Sequence, residues 1–353
     1  MKKICVQLVL LAVSVSVSAK LASADITYTC DPTIAAEGPA NTCATLNTLV
    51  SGLYSSTFSN ANANIYIQYG TTGLGQSTTG FDSQISFSAY VAALTADSSG
   101  NALDMAALAS LAPGTPAFNA YSGGMVDIPN ALGVALGIAN MTGTTAGGTA
   151  CTVGTAGCYN GIITITNPAD LLSSFGQTLY YRNGVQDPNS YDFYSIVEHE
   201  TDEVLGTSSC VDTTGGALAD NCPGTNTPAA VDLFRYNGAN NPVLIDTTPG
   251  AYFSFNGGAT NGADGAIYNT VANGDDYADF VSNCAFVQDG TGCLGSSLDI
   301  TTDGGAEINI LDAVGYNRIA ATPEPGTVGL FGTMLAVFAA IAYRRNRRAG
   351  MRS

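Results

Sequence analysis

The segment from His199 to Ser209 constrains the chain more than any other, and it reads HETDEVLGTSS. Apolar spacing before it predicts a helix from about Asp192 to Leu205, with Asn189 or Ser190 near its start as candidate caps and Gly206 as its stop. Residues four apart share one helix face, so His199 and Glu203 point the same way. His199 is the only histidine of the chain. No other imidazole can therefore complete a three-histidine zinc site.

This pattern resembles the zinc-protease motif H-E-x-x-H-x-x-G-x-x-H and, through its glycine turn, the metzincin branch of the zincins. The resemblance covers positions 199 to 209 and departs from the motif at the second and third ligands. It implies that His199 and Glu203 bind metal and that Glu200 is the catalytic general base. The third ligand stays open among Ser209, Asp212 and Asp232. A weaker similarity to the Met-turn segment lies at residues 310–316, with Leu311 where methionine is expected.

The altered ligands affect the choice of metal. Carboxylates bind zinc, but replacing an imidazole by Glu203 lowers the charge of the site and weakens the Lewis acid. Oxygen ligands also shift the preference toward manganese or calcium. We therefore expect zinc or another divalent cation. Calcium is a further candidate at two acidic, glycine-rich stretches, residues 256–265 and the group Asp275, Asp276 and Asp279.

The N-terminus predicts export. Residues 1–24 combine a basic start, an apolar run and the small-residue site Ala22-Ser23-Ala24, as in a secretory signal peptide. Cleavage by signal peptidase would begin the mature chain at Asp25. We therefore expect a body outside the cytoplasm.

The C-terminus predicts membrane targeting. An apolar segment from Gly326 to Tyr343 has the length of a transmembrane helix, and an arginine-rich tail, 344–353, follows it. The linker 319–325 contains Pro323, Glu324 and Pro325. Triplet, helix and tail resemble the PEP-CTERM sorting signal of Gram-negative bacteria. The resemblance implies processing by an exosortase and transfer from the inner membrane to the cell surface or extracellular matrix.

Eight cysteines remain after signal cleavage, and they occur in close sequential pairs. An even number of cysteines in an exported chain indicates disulfides. We predict the local pairs Cys30–Cys43, Cys151–Cys158, Cys210–Cys222 and Cys284–Cys293.

The body is strongly acidic. Between Asp25 and Ala321 it has 27 aspartates and glutamates against three arginines and no lysine. Such a surface repels phosphate backbones, which argues against nucleic acid as a partner.

Hydrophobic periodicity predicts further elements. We expect helices over 41–54, 88–95, 103–111, 130–139 and 307–314, and strands over 64–69, 161–166, 179–181, 243–245 and 252–255. Together with the motif they predict an α+β, zincin-like fold. Residues 25–206 would form an N-terminal subdomain that ends in the active-site helix, and 207–318 a loop-rich C-terminal subdomain, with a single transmembrane helix beyond.

These observations lead to two functional hypotheses. The first is an exported, surface-sorted metallopeptidase of metzincin type, acting on a peptide or protein substrate. The second is a non-catalytic surface or extracellular-matrix protein on a decayed protease scaffold. Metal-dependent activity distinguishes the first from the second.

Overall fold

The structure is a computed structural model that describes residues 24–80, 83–210, 222, 227–244, 248–270 and 276–319. The predicted signal peptide up to residue 23, the triplet at 323–325, the segment 326–343 and the tail 344–353 lie outside the described residues. The described chain up to Arg318 belongs to one compact unit.

The helices in chain order are α1 Pro32–Glu37, α2 Thr42–Thr45, α3 Ser51–Thr57, α4 Phe87–Asp97, α5 Ala102–Ser110, α6 Pro116–Tyr121, α7 Asn130–Ala135, α8 Pro168–Phe175, α9 Phe193–Asp202 and α10 Ala306–Val314. The strands are β1 Ile26–Cys30, β2 Ala63–Gly70, β3 Gly75–Thr79, β4 Ser83–Ser86, β5 Met125–Ile128, β6 Thr142–Thr144, β7 Ala150–Thr152, β8 Gly161–Thr166, β9 Thr178–Tyr180, β10 Ser190–Asp192, β11 Arg235–Tyr236 and β12 Tyr252–Phe253. π-Helical turns join α2 to α3 and follow α9.

The main sheet has four strands in the order β1-β2-β8-β3. Strands β1, β2 and β8 are parallel, and β3 is antiparallel to β8 at the edge of the sheet. The connection from β1 to β2 passes through α1, α2 and α3, as a crossover between parallel strands requires. Strands β4 to β7 and β9 to β12 form four separate pairs. Helix α9 packs against β8 and β3, which places the sequence motif at the sheet edge.

The predicted fold class, an α+β zincin-like body with a single transmembrane helix, is wrong. The fold is mixed α/β with small sheets, because parallel strands alternate with helices in its main sheet. Strands β1 and β3 were not predicted from the sequence, and β1 creates the first parallel crossover. Within the described residues no helix has the length and apolar character needed to cross a bilayer.

Individual elements agree better with prediction. Strand β2 extends the expected strand over 64–69 by one residue at each end, and β8 matches its predicted bounds. The helix expected over 41–54 is present as α2, a π turn and α3. Helices α4, α5, α9 and α10 lie where periodicity placed them, whereas α7 ends at Ala135, earlier than expected. The similarity to a Met-turn falls within α10 and on the residues after it, with Leu311 buried in that helix.

All four predicted disulfides are formed. They indicate an exported or extracellular protein, because such bonds persist in oxidising compartments. One continuous hydrophobic core includes residues from both sides of Gly206, where the two predicted subdomains meet.

Asp312 of α10 lies beside polar groups at the start of α5. The side-chain amide of Asn101 donates to both of its carboxylate oxygens, at 3.1 and 3.3 Å, and Arg318 Nε is 4.0 Å from Oδ2. Burial, followed by a hydrogen bond shared with Asp104, raises the pKa of Asp312 from 3.8 to about 7. At a pH between 3.8 and about 7, Asp312 holds a proton in the folded state that it has lost in the unfolded state. Protonation of Asp312 therefore stabilises the folded state in this pH range.

We therefore predict how stability depends on pH. The contribution of Asp312 is complete below its unfolded pKa and is lost as pH rises through the folded value. Relative to Asp312→Asn, which stays neutral, the free energy of unfolding of the wild type should fall from about pH 4 to about pH 8. Urea unfolding followed by circular dichroism, with the disulfides intact, measures the difference. A difference that is constant across this range would contradict the prediction.

Candidate metal centre

The side chain of Asp192 caps the N-terminus of helix α9. Asp192 accepts hydrogen bonds from the backbone N–H groups of Tyr194 and Ser195, at 2.8 and 3.0 Å. These bonds satisfy donors that have no partner inside the first turn. The sequence had suggested Asn189 or Ser190 near this position, whereas the capping residue is Asp192.

Two hydrogen bonds hold the rear face of α9 to the N-terminal part of the chain. The hydroxyl groups of Tyr28 and Thr201 lie 2.9 Å apart, and Tyr54 donates to Asp202 Oδ1 at 2.7 Å. All four residues are buried. Helix positions four apart share a face, so His199 and Glu203 point the same way. Fixing the rear face of the helix therefore directs both side chains toward the opposite side.

Gly206 ends the motif helix as the sequence predicted. Its φ of 140° lies in the region that favours glycine, and it falls within the π-helical turn Glu203–Thr207. A side chain here would strain the backbone and alter the direction in which the chain leaves the site.

His199, Glu203 and Asp279 bring three possible ligand atoms together, all within 4.8 Å of one another. His199 Nε2 is 3.6 Å from Glu203 Oε1 and 3.5 Å from Asp279 Oδ1. Ligands at about 2.1 Å from a tetrahedral zinc ion stand about 3.4 Å apart. The two separations therefore suit a small divalent cation bound between these atoms.

Neighbouring groups orient the possible ligands. His199 Nδ1 lies 2.9 Å from the carbonyl oxygen of Val287, which can only accept, so Nδ1 carries a proton and Nε2 is the ring nitrogen that can bind a cation when the ring is neutral. The Ser77 hydroxyl donates to Glu203 Oε2 at 2.6 Å. Such outer contacts hold a ligand ring or carboxylate in the geometry that binding requires.

Glu200 lies beside the three ligands and against the edge strand β3. Its side chain is buried, and a Cβ atom added to Gly75 would collide with its carboxylate and with Ile196. Glycine at position 75 therefore lets the strand pass directly over Glu200. This contact places a carboxylate between the ligands and the strand.

The charges of the site depend on one another. Burial disfavours the charged imidazole, but Asp279, Glu203 and Glu200 outweigh burial and raise the pKa of His199 well above its ordinary value. Burial and the neighbouring Glu203 raise the pKa of Glu200. Glu203 is buried too, but its contacts with His199 and Ser77 lower its pKa. A divalent cation would balance this excess of buried negative charge.

The sequence left the third ligand open among Ser209, Asp212 and Asp232, whereas the group of described ligand atoms includes Asp279. Ser209 Oγ donates to Asp232 Oδ1 at 2.6 Å. Asp232 Oδ2 accepts from the backbone N–H groups of Cys210 and Ala229, at 3.0 and 2.8 Å. Asp212 lies outside the described residues. The structure thus joins Ser209 and Asp232 to each other and to the backbone.

Asp279 is the residue that sequence reasoning did not connect with the motif. In the sequence, Asp279 belongs to an acidic stretch with Asp275 and Asp276, and this stretch was a candidate for calcium. Asp275 lies outside the described residues, and Asp276 accepts a hydrogen bond from the Ser209 N–H at 2.9 Å. The cluster of acids was the available signal, but its spacing does not reveal which aspartate meets His199.

A cavity of about 470 Å³ opens over the three ligands. Strand β3, helix α9 and the segments 286–287 and 289–293 contribute to its wall. The described residues that line it include no lysine or arginine. They include six carboxylates, those of Asp192, Glu200, Glu203, Asp276, Asp279 and Asp289. The cavity therefore favours cationic groups.

A second group of possible ligands consists of Asp127, Cys210 and Cys222. Its two cysteines are not available to a metal. The two sulfur atoms are joined in a disulfide, with an S–S distance of 2.02 Å. Metals bind cysteine as thiolate, so the disulfide removes both ligands. Of the two groups found among the described residues, the one at His199 could hold a cation.

Comparisons of the chain with protein-family models, curated proteins and solved structures found no match. The case for a function therefore depends on the chemistry of this site.

We predict that the centre binds one divalent cation. His199→Ala and Asp279→Asn should each weaken binding by more than the roughly 10–100-fold that is typical of losing an outer-shell partner. Titration calorimetry with Zn²⁺ and Mn²⁺ measures the affinities. Asp170→Asn, which makes the same charge change on exposed α8, should bind like the wild type. Unchanged affinity in both site variants would contradict the prediction.

Proposed function

We propose that the protein is an exported, metal-dependent peptidase. In this proposal His199, Glu203 and Asp279 hold the cation, and Glu200 is the general base. The observation that carries it is the meeting of three ligand atoms beside a buried carboxylate, in a cavity bordered by an edge strand. Export is supported by the four disulfides.

The residues suit hydrolysis of an amide bond. A bound cation supplies Lewis acidity, which polarises a carbonyl and acidifies water. Glu200 accepts the proton of the attacking water and later delivers it to the leaving amine. Burial and the neighbouring Glu203 raise the pKa of Glu200 above that of an ordinary glutamate, which strengthens the carboxylate as a base toward water.

The donor set suits several cations. One imidazole and two carboxylates are acceptable to zinc, and the share of oxygen ligands also suits manganese. We propose zinc or manganese as the working ion. The Val287 carbonyl selects the histidine tautomer that either ion requires.

The cavity also suggests the substrate. Strand β3 is the last strand of its sheet, so its outer edge is available to an extended chain. A peptide lying there passes over Gly75 and Glu200. Because the described lining is acidic, we propose peptides with lysine or arginine near the scissile bond.

Glu200→Gln tests the catalytic assignment. The amide cannot accept the proton of water, so we expect peptide cleavage to fall by about 10²–10⁴ while cation affinity is retained. Mass spectrometry of a mixed peptide library after incubation with the protein measures peptide cleavage. Calorimetry measures the cation affinity. Loss of cation binding in this variant would instead make Glu200 a ligand. A wild-type protein that binds cation yet cleaves no peptide would support the non-catalytic hypothesis.

Substrate charge provides a separate test. We predict that a peptide with lysine beside the scissile bond is cleaved faster than its glutamate counterpart, and that the difference shrinks as salt screens the cavity. Rates for the matched pair at low and high ionic strength measure the effect. Equal rates at low salt would contradict the assignment to cationic peptides.

A further inference from the structure

Residues Val287 and Gln288 are tied to the start of α10 through their backbone. The Val287 N–H donates to Asp303 Oδ2 at 3.1 Å, and the Gln288 N–H donates to Glu307 Oε1 at 2.9 Å. Glu307 and Gln288 are fully buried. Two consecutive peptide groups are thus held by carboxylates that take no part in the metal centre.

The same two residues contact the possible ligands. The Val287 carbonyl accepts the Nδ1 proton of His199. The side-chain amide of Gln288 donates to Asp279 Oδ1 at 2.9 Å, and its nitrogen lies 3.5 Å from His199 Nε2. At its other end Gln288 Oε1 accepts from the Thr207 hydroxyl at 3.4 Å. The amide of Gln288 therefore spans the space between Thr207, at the end of the motif helix, and Asp279.

We propose that Gln288 is a positioning residue that aligns Asp279 with His199 for cation binding. Asp279 comes from a loop, whereas His199 and Glu203 share a helix, so only Asp279 needs a separate restraint toward the other two. A carboxylate oxygen has two lone pairs, so Oδ1 can accept from Gln288 and still bind a cation. This inference rests on the proposed metal centre but not on peptidase activity.

The neutrality of glutamine fits this position. The site already combines one imidazole with the carboxylates of Glu200, Glu203 and Asp279, and a further buried carboxylate would repel those three. A lysine would compete with the cation, and an apolar residue would remove the hydrogen bond to Asp279 Oδ1, although Oδ2 would keep its bond from the Asp276 N–H. A neutral amide restrains the ligand without changing the charge of the centre.

Gln288→Met tests the inference, because methionine keeps the length of the side chain and removes the amide. We expect the Kd for Zn²⁺ or Mn²⁺ to rise by about 10–100-fold, as for other outer-shell partners. The matched control is Gln84→Met, the same change at an exposed glutamine of β4, and it should bind like the wild type. Calorimetry on the protein with its four disulfides intact gives the affinities.

A spectroscopic readout separates positioning from general stability. Because His199 is the only histidine of the sequence, we expect a single imidazole Hε1 signal in proton NMR. Zn²⁺ should shift this signal at lower concentration in the wild type than in Gln288→Met, while the apo proteins unfold at similar urea concentrations. If Gln288→Met does not fold, Gln288→Asn decides, since it keeps a buried amide but withdraws the donor from Asp279 and should also weaken binding.

Wild-type affinity in a folded Gln288→Met protein, or in Gln288→Asn where methionine prevents folding, would overturn the inference. A wild-type protein that binds neither cation would overturn it together with the proposed metal centre. Cation binding without peptide cleavage would remove the peptidase proposal alone and leave the role of Gln288 to the affinity measurements.

Discussion

The anchoring of α9 from behind is the constraint on which the site depends. The pair Tyr28–Thr201 and the pair Tyr54–Asp202 are buried hydrogen bonds, and they prevent the helix from rotating about its axis. An α-helix places positions four apart on one face, so a fixed rotation is a fixed direction for the motif side chains. Strand β3 completes the arrangement, because glycine at position 75 lets it approach the Glu200 carboxylate. Residues of β3 and α9 both line the cavity.

The second constraint is electrostatic. His199 is the only imidazole of the chain, and it is surrounded by buried carboxylates whose mutual repulsion costs free energy in the folded protein. A soluble domain tolerates such a group when a cation compensates it or when it holds protons. The neutral amide of Gln288 adds a donor without more charge. The residues around the centre are therefore consistent with one another: they orient oxygen and nitrogen ligands and leave the compensating charge to an ion.

The fold class shows where sequence reasoning fails. Periodicity located β2, β8 and most helices, because each pattern is local and reports burial along one element. It did not reveal the strands β1 and β3, and without them the four-strand order of the sheet is not apparent. Strand pairing joins segments that are distant in sequence, so a list of elements does not determine it. The α+β expectation failed for this reason.

The sequence by itself determined what depends on short spacing. It placed His199 and Glu203 on one face of a helix that ends at Gly206, and the four disulfides close loops of 7 to 13 residues. Only the tertiary structure decided which carboxylate completes the centre. Asp279 and Gln288 lie on loops far along the chain, and their approach to the motif depends on the packing of α10 and the loop before it. Local geometry follows from residue order, whereas a contact between distant loops exists only after the core has brought them together.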